Sequence, residues 1–197
     1  MKRKVAIQGI AGSFHDIAAR NYFQGEEIEV IACDTFKDVF QTIKKDNSIV
    51  GAVAIENTIA GSLLPNHNLL KDSGMRIMGE TRLRIEHNLV CLPGQSIDDV
   101  TDVYSHPIAL MQCEDFLAGY PHLKAVESED TASSARRIAT EKIPGRAAIC
   151  STLAAQIYGL QILAEGVETN KRNFTRFLIV GDPWTAEEHT KSQKVNK

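Results

Sequence analysis

Short apolar runs alternate along this chain with stretches whose apolar residues recur at helical spacing, and that alternation admits few folds. Strands are expected at Val5–Gln8, Glu29–Ala32, Val50–Ile55, Leu83–Leu92, Val100–Tyr104, Ala125–Glu127, Ala147–Ser151 and Thr175–Val180. Helical patterns fill the gaps at Phe14–Phe23, Thr35–Asp46, Ser62–Asp72, Pro107–Tyr120, Thr131–Glu141, Thr152–Tyr158 and Pro183–Lys194. The cleanest is Thr35–Asp46, where Phe36, Val39, Phe40 and Ile43 form one apolar stripe. The order reads as α/β. Arg82–Leu92 is long for a buried strand and alternates only partly, so it is expected to bridge two lobes. Lobe one is then 1–80 plus 173–185, lobe two is 81–172, and 186–197 is a charged linker or tail. Two α/β lobes joined by two crossings imply a hinge and a cleft, a common place for a ligand.

Composition narrows the function classes. With 197 residues, 43% hydrophobic and 24% charged, the chain can bury a real core and is not disordered. A net charge of −3, with Lys and Arg scattered, offers nothing to a nucleic acid. The run Val5-Ala6-Ile7-Gln8-Gly9 behind the basic start is too short for a signal peptide, and no run is long enough to span a membrane. Cys33, Cys91, Cys113 and Cys150 sit singly in apolar surroundings, as buried thiols in a reducing cytosol would. A cytoplasmic protein is expected. His15, His67, His87, His122 and His189 share no metal-ligand spacing, so no metal is expected.

Three polar knots interrupt the apolar runs: Glu56-Asn57-Thr58, Ser105-His106-Pro107 and Asn173-Phe174-Thr175-Arg176-Phe177. Folding a strand end requires none of them, and together they read as the walls of a polar pocket. Four helices also begin directly after strands with small or hydroxyl residues, at Gly9–Ser13, Ser105–Pro107, Asp130–Ser134 and Cys150–Thr152. Helix starts carry unpaired N–H groups and can hold a carboxylate, although each of these also reads as an ordinary N-cap. Neither a dinucleotide fingerprint nor a P-loop is present, which favours a small anionic metabolite over a nucleotide.

These motifs, taken in order, resemble the prephenate dehydratases of phenylalanine biosynthesis. The resemblance runs from Val5 to about Gly181 through Gly9-x-x-Gly12-Ser13-Phe14, Glu56-Asn57-Thr58, Tyr104-Ser105-His106-Pro107 with Gln112-Cys113, Thr131-Ala132, Tyr158-Gly159-Leu160 and Asn173-x-Thr175-Arg176-Phe177. It implies a two-lobed fold like that of type II periplasmic binding proteins, an active site in the cleft, no cofactor, and a dimer or larger homo-oligomer. Departures are Ile10, His15 where Ser is common, Thr58 for Ser, and Ile108 for Gln. Many members continue into a phenylalanine-binding ACT domain with a Glu-Ser-Arg-Pro motif, which this sequence lacks. The chain is expected to be a fragment, with phenylalanine regulation only if a longer natural chain carries that domain.

The reaction so implied expels the ring hydroxyl of prephenate as water and its ring carboxylate as CO2, leaving phenylpyruvate. The enzyme must protonate the leaving hydroxyl, and a positioned acid contributes about 10²–10⁴-fold. The resemblance assigns the critical hydroxyl to Thr175. A threonine is too weak an acid to act alone, so a relay from His106 or from a buried Glu56 is expected. Substrate contacts are expected from Ser13, Asn57, Thr58, Ser105, Gln112, Thr131, Asn173, Arg176 and Phe177. Strand alternation places Thr175 and Phe177 on one face and Arg176 on the other, where Arg176 meets substrate only across a bulge and is otherwise a structural ion-pair partner. Plainer readings stand beside these: His106 as a helix-start residue and Gln112 as a bridge between backbone groups. If Ser105 and Thr131 hold the side-chain carboxylate, replacing either by Ala raises KM more than it lowers kcat. An arogenate dehydratase, or a non-catalytic small-anion sensor, is the alternative reading.

Overall fold

The computed structural model describes residues 2–195. The chain begins with β1 (Arg3–Gln8), α1 (Phe14–Tyr22), β2 (Ile28–Cys33), α2 (Phe36–Lys45), β3 (Val50–Asn57), β4 (Gly61–Ser62), α3 (Leu64–Ser73) and β5 (Arg76–Arg84). It continues with β6 (Asn88–Cys91), β7 (Asp102–Ser105), α4 (Pro107–Gln112), α5 (Glu114–Ala118), β8 (Lys124–Glu127), α6 (Thr131–Glu141), β9 (Arg146–Cys150), α7 (Thr152–Ile157) and β10 (Gln161–Ala164). Strand β11 (Phe174–Gly181) and helix α8 (Pro183–Val195) complete it.

Two compact units result. Unit one comprises residues up to Ile10, Phe14–Arg84 and Phe174 onward; unit two comprises Ala11–Ser13 and Ile85–Asn173. The sheet of unit one runs β2-β1-β3-β11-β5, with β4 paired to β3. Its β1 is parallel to β2 and β3, whereas β11 is antiparallel to both neighbours. Helix α2 forms as its stripe requires, and Thr35 and Asp38 close a reciprocal capping box at its start. Its Val39, Phe40 and Ile43 pack on Val53, Ile55, Leu178 and Val180 from one face of the sheet. From the other face, Val5, Ile7, Ala52 and Ile179 meet Ala19 and Phe23. Cover on both faces explains why β3 is apolar without alternation. The sheet of unit two runs β10-β6-β9-β7-β8, with Leu89, Cys91, Val103, Cys113, Ala147 and Ile149 in its core. All four cysteines are buried and free, and burial pushes the Cys113 and Cys150 thiols up to about 12.

Several expectations need correction. The long strand does not exist: β5 ends at Arg84 and β6 begins at Asn88, with Ile85–His87 between them. The division therefore falls after Arg84, because β11 requires a partner along its whole length and pairs Phe174 with Arg84. Residues Ala11–Ser13 belong to unit two, held by bonds from Ser151 Oγ to the Gly12 carbonyl (2.6 Å) and from Tyr158 OH to the Ala11 carbonyl (2.7 Å). The expected helix Pro107–Tyr120 breaks at Cys113. The stretch 186–197, expected as a linker, continues α8 over its described part: Ala186 is buried and the Tyr22 hydroxyl lies 3.1 Å from His189 Nε2. Residues 196–197 of that stretch lie outside the described residues. None of the described helices is long and apolar enough to cross a membrane.

Candidate active site

In unit one the polar knots of β3 and β11 meet as cross-strand pairs. Thr175 lies opposite Asn57, and Arg176 opposite Glu56. The Asn57 side chain closes a turn, its Oδ1 accepting from the N–H groups of Ile59 and Ala60, each at 2.9 Å. That fixes which end of the amide is nitrogen. Asn57 Nδ2 consequently donates to Thr175 Oγ at 2.8 Å and to the Phe174 carbonyl at 3.2 Å. Thr58 extends the ladder, its N–H donating to the Phe174 carbonyl and its Oγ accepting from Phe174 N–H, both at 2.9 Å. An Oγ that accepts an amide N–H is polarised, and the hydroxyl proton is directed away from that donor. Thr175 is 7% exposed.

The same pairing moves other expected site residues elsewhere. Successive strand residues face opposite ways, so Glu56 and Arg176 lie on the face opposite Asn57 and Thr175. Arg176 Nε donates to Glu80 at 2.8 Å, Nη2 touches the same carboxylate, and Glu56 is 4.0 Å away. The register does skip one residue between Arg176 and Phe177, yet the guanidinium stays in this exposed ion-pair cluster. Arg176 is thus an ion-pair partner, and Glu56 is exposed on the face opposite Thr175, away from the hydroxyl it was expected to refill. Phe177 is 1% exposed, packed among Ala18, Ala54, Phe14, Phe36 and Leu83. It packs in the core two residues beyond Thr175 on β11. Ser13, buried, immediately precedes α1.

Unit two contributes a second set. His106 caps α4 through Nδ1, which accepts from Ile108 N–H at 3.2 Å; a neutral ring then carries its proton on Nε2. Ser105 is fully buried and donates to the Ile149 carbonyl at 2.7 Å, tying β7 to β9. Its proton is already committed, which removes it from the expected carboxylate donors. Ser105→Ala is therefore expected to lower stability by about 1–3 kcal/mol, by stranding a buried carbonyl, while KM stays within about twofold; urea unfolding and steady-state kinetics check both. Thr131 is half-buried at the start of α6, whose N-cap Asp130 accepts from Ser133 N–H at 2.7 Å. Gln112 Oε1 accepts from Asn173 Nδ2 at 3.1 Å and lies 2.9 Å from His87 Nε2. Asn173 is completely buried and braces Gln112. His87 and the buried Glu168 escaped the sequence reading, although Ile85-Glu86-His87-Asn88 is a polar knot of the same kind. Among the described residues no group of His, Cys, Asp and Glu could hold a metal ion.

The prephenate dehydratase family pattern matches residues 5–184. The chain belongs to that family. Relatives include arogenate dehydratase 5 of Arabidopsis thaliana, 37% identical over 91% of this chain and 42% of its own length. Another is the bifunctional chorismate mutase/prephenate dehydratase of Escherichia coli, 35% identical over 90% of this chain and 46% of its own length. The chain thus spans less than half the length of these curated relatives. Among solved structures, a prephenate dehydratase from Arthrobacter aurescens in complex with L-Phe is 27% identical, with TM-score 0.81, covering 91% of this chain and 60% of that one. GqqA, described as a novel type of quorum quenching acylase, is 32% identical with TM-score 0.81, covering 91% and 64%.

His15 occupies an aromatic niche in unit one, its ring 5.3 Å from Phe36 and 5.1 Å, edge-on, from Phe177. Its Nε2 is buried with no hydrogen-bond partner among the described residues. Burial pushes its pKa from 6.5 down to about 4. Between those values the unfolded chain binds more protons than the folded one, so stability rises with pH across that window and is lost on acidification. The slope is at most about 1.4 kcal/mol per pH unit. Burial shifts His87 the same way and adds the same sign. His15→Phe is expected to flatten the fall of Tm below pH 6.5. An unchanged slope would assign the acid sensitivity to other groups.

Proposed function

We propose that the chain catalyses the decarboxylative dehydration of prephenate to phenylpyruvate. One proton passes to the ring hydroxyl, the C–O bond breaks to release water, and the electrons of the departing C–CO2 bond complete the aromatic ring. Thr175 is the proposed proton-delivering group. The observation carrying this is its Oγ, held at 2.8 Å by an Asn57 amide that a turn has already oriented. A donated hydrogen bond strengthens the hydroxyl as a donor, and it costs no reorganisation during the reaction. His106 is the proposed relay partner, restoring in its imidazolium form the proton that Thr175 gives, a form in which Nδ1 releases the Ile108 N–H that it now accepts. Ser13, Thr58, Gln112 and Thr131 are proposed substrate contacts, the pyruvyl carboxylate being gripped more firmly than the ring carboxylate that must leave.

Purified protein incubated with prephenate is expected to yield phenylpyruvate, read by its absorbance. Incubation with arogenate, whose product is phenylalanine, tests the alternative that the Arabidopsis relative's name brings, and an acyl amide tests the chemistry named for GqqA. Product from neither prephenate nor arogenate overturns the reading. A cytoplasmic homodimer or larger oligomer is part of the proposal, and light scattering tests the assembly.

A further inference from the structure

A buried knot in unit two remains outside the chemistry so far. His87 is fixed at its backbone: its N–H donates to the Glu168 carboxylate at 2.9 Å, and its carbonyl accepts from Val167 N–H at 2.8 Å. Asn173 is fixed beside it, its carbonyl accepting from Ile85 N–H at 2.8 Å. Gln112 is fixed by Thr169 N–H, which donates to its carbonyl at 2.8 Å. The three side chains converge on one atom. Gln112 Oε1 is 3.1 Å from Asn173 Nδ2 and 2.9 Å from His87 Nε2. With the Gln112 amide in this sense its oxygen can only accept, which puts the proton on His87 Nε2. Burial lowers its pKa and so favours the neutral ring, in which this is the single N–H proton.

We infer that His87 is a positioning residue: with Asn173 it locks the Gln112 amide so that the –NH2 end, opposite the doubly bonded oxygen, is presented as a donor to the oxygens of the substrate. The inference rests on the dehydratase reading and deepens it. For a dicarboxylate the sense of the amide matters, because a flipped Gln112 would offer a carbonyl oxygen to an anion and repel what it should hold. With the proton on Nε2, the alternative orientation sets donor against donor at the His87 contact, and one N–H from His87 is enough to bias the choice.

Two variants separate orientation from packing. His87→Phe keeps a buried ring and deletes the donor; His87→Gln keeps an N–H of similar reach. His87→Phe is expected to lower kcat/KM roughly tenfold to hundredfold, with His87→Gln recovering most of the loss. In Gln112→Leu the further change His87→Phe should cost nothing more, since its target is already gone. Losses that multiply in the double variant, or equal activity of His87→Phe and the parent, overturn the inference. The ring 15N spectrum of the unmodified protein tests it without any turnover. A proton on Nε2 is expected, and one on Nδ1 overturns the inference even if the variants fail to fold. Turnover of prephenate and arogenate by the unmodified protein judges the underlying reading separately.

Discussion

Thr175→Val is expected to abolish most turnover while leaving the protein folded. Valine keeps the branched shape at Cβ and removes only the hydroxyl, so the core contacts of neighbouring Phe177 persist. Asn57 Nδ2 loses one acceptor yet keeps the Phe174 carbonyl, which limits the structural cost to about 1 kcal/mol. The chemical cost is larger. Removing a positioned proton donor should lower kcat by about 10²–10⁴-fold, or roughly 3–5 kcal/mol of barrier. KM should change little, because the hydroxyl acts on the leaving group more than on the bound anion. Thr175→Ser, which restores an Oγ for Asn57, should recover much of the rate. Circular dichroism and a thermal melt accompany the kinetics. A Thr175→Val protein with near-normal kcat would remove this hydroxyl from the chemistry.

The second large effect is structural. Gly12→Ala is expected to destabilise the protein by more than about 3 kcal/mol, a substantial part of the 5–15 kcal/mol typical of a folded domain. Two independent costs combine there. Gly12 has φ +90°, where a side chain is strained, and a Cβ would stand 2.7 Å from Ala154 Cα and 2.9 Å from Ala154 Cβ. The first of these is backbone in α7, which cannot rotate away. Gly25 supplies the control: its φ is +84°, but a Cβ there meets nothing within 4 Å. Gly25→Ala should therefore cost only about 1 kcal/mol. Urea unfolding of the two variants compares strain alone with strain plus collision. Equal losses would refute the packing argument at Gly12. The loop has a second reason for its glycine besides the expected anion-binding role: Ser151 Oγ and Tyr158 OH hold the loop by its carbonyls, and only Gly lets the backbone come that close.

The candidate site was partly readable in the sequence, and the missed parts share a cause. Asn57 and Thr175 stood out because polar residues at strand ends need a reason, and the structure joins them directly. Alternation correctly separated Thr175 from Arg176. Glu56 could not be judged that way, since its face depends on the residue it pairs with in β11, more than a hundred positions away. Ser105 had the composition of a ligand donor, but its hydroxyl ends on Ile149 of a neighbouring strand. His87 was passed over as a lone histidine, because its meaning comes from Gln112 and Asn173, which meet it only in the folded unit.

From the chain alone came the α/β class, the approximate place of most strands and helices, and the family. These follow from local periodicity and short motifs, where cause and signal lie within a few residues of each other. Folding decided which hydroxyl meets an oriented amide, which carboxylate joins an exposed ion pair, where the first unit hands over to the second, and why Gly12 admits no side chain. Each of these depends on long-range strand pairing or close packing, and a sequence states which neighbours a residue has along the chain without stating which ones it will touch.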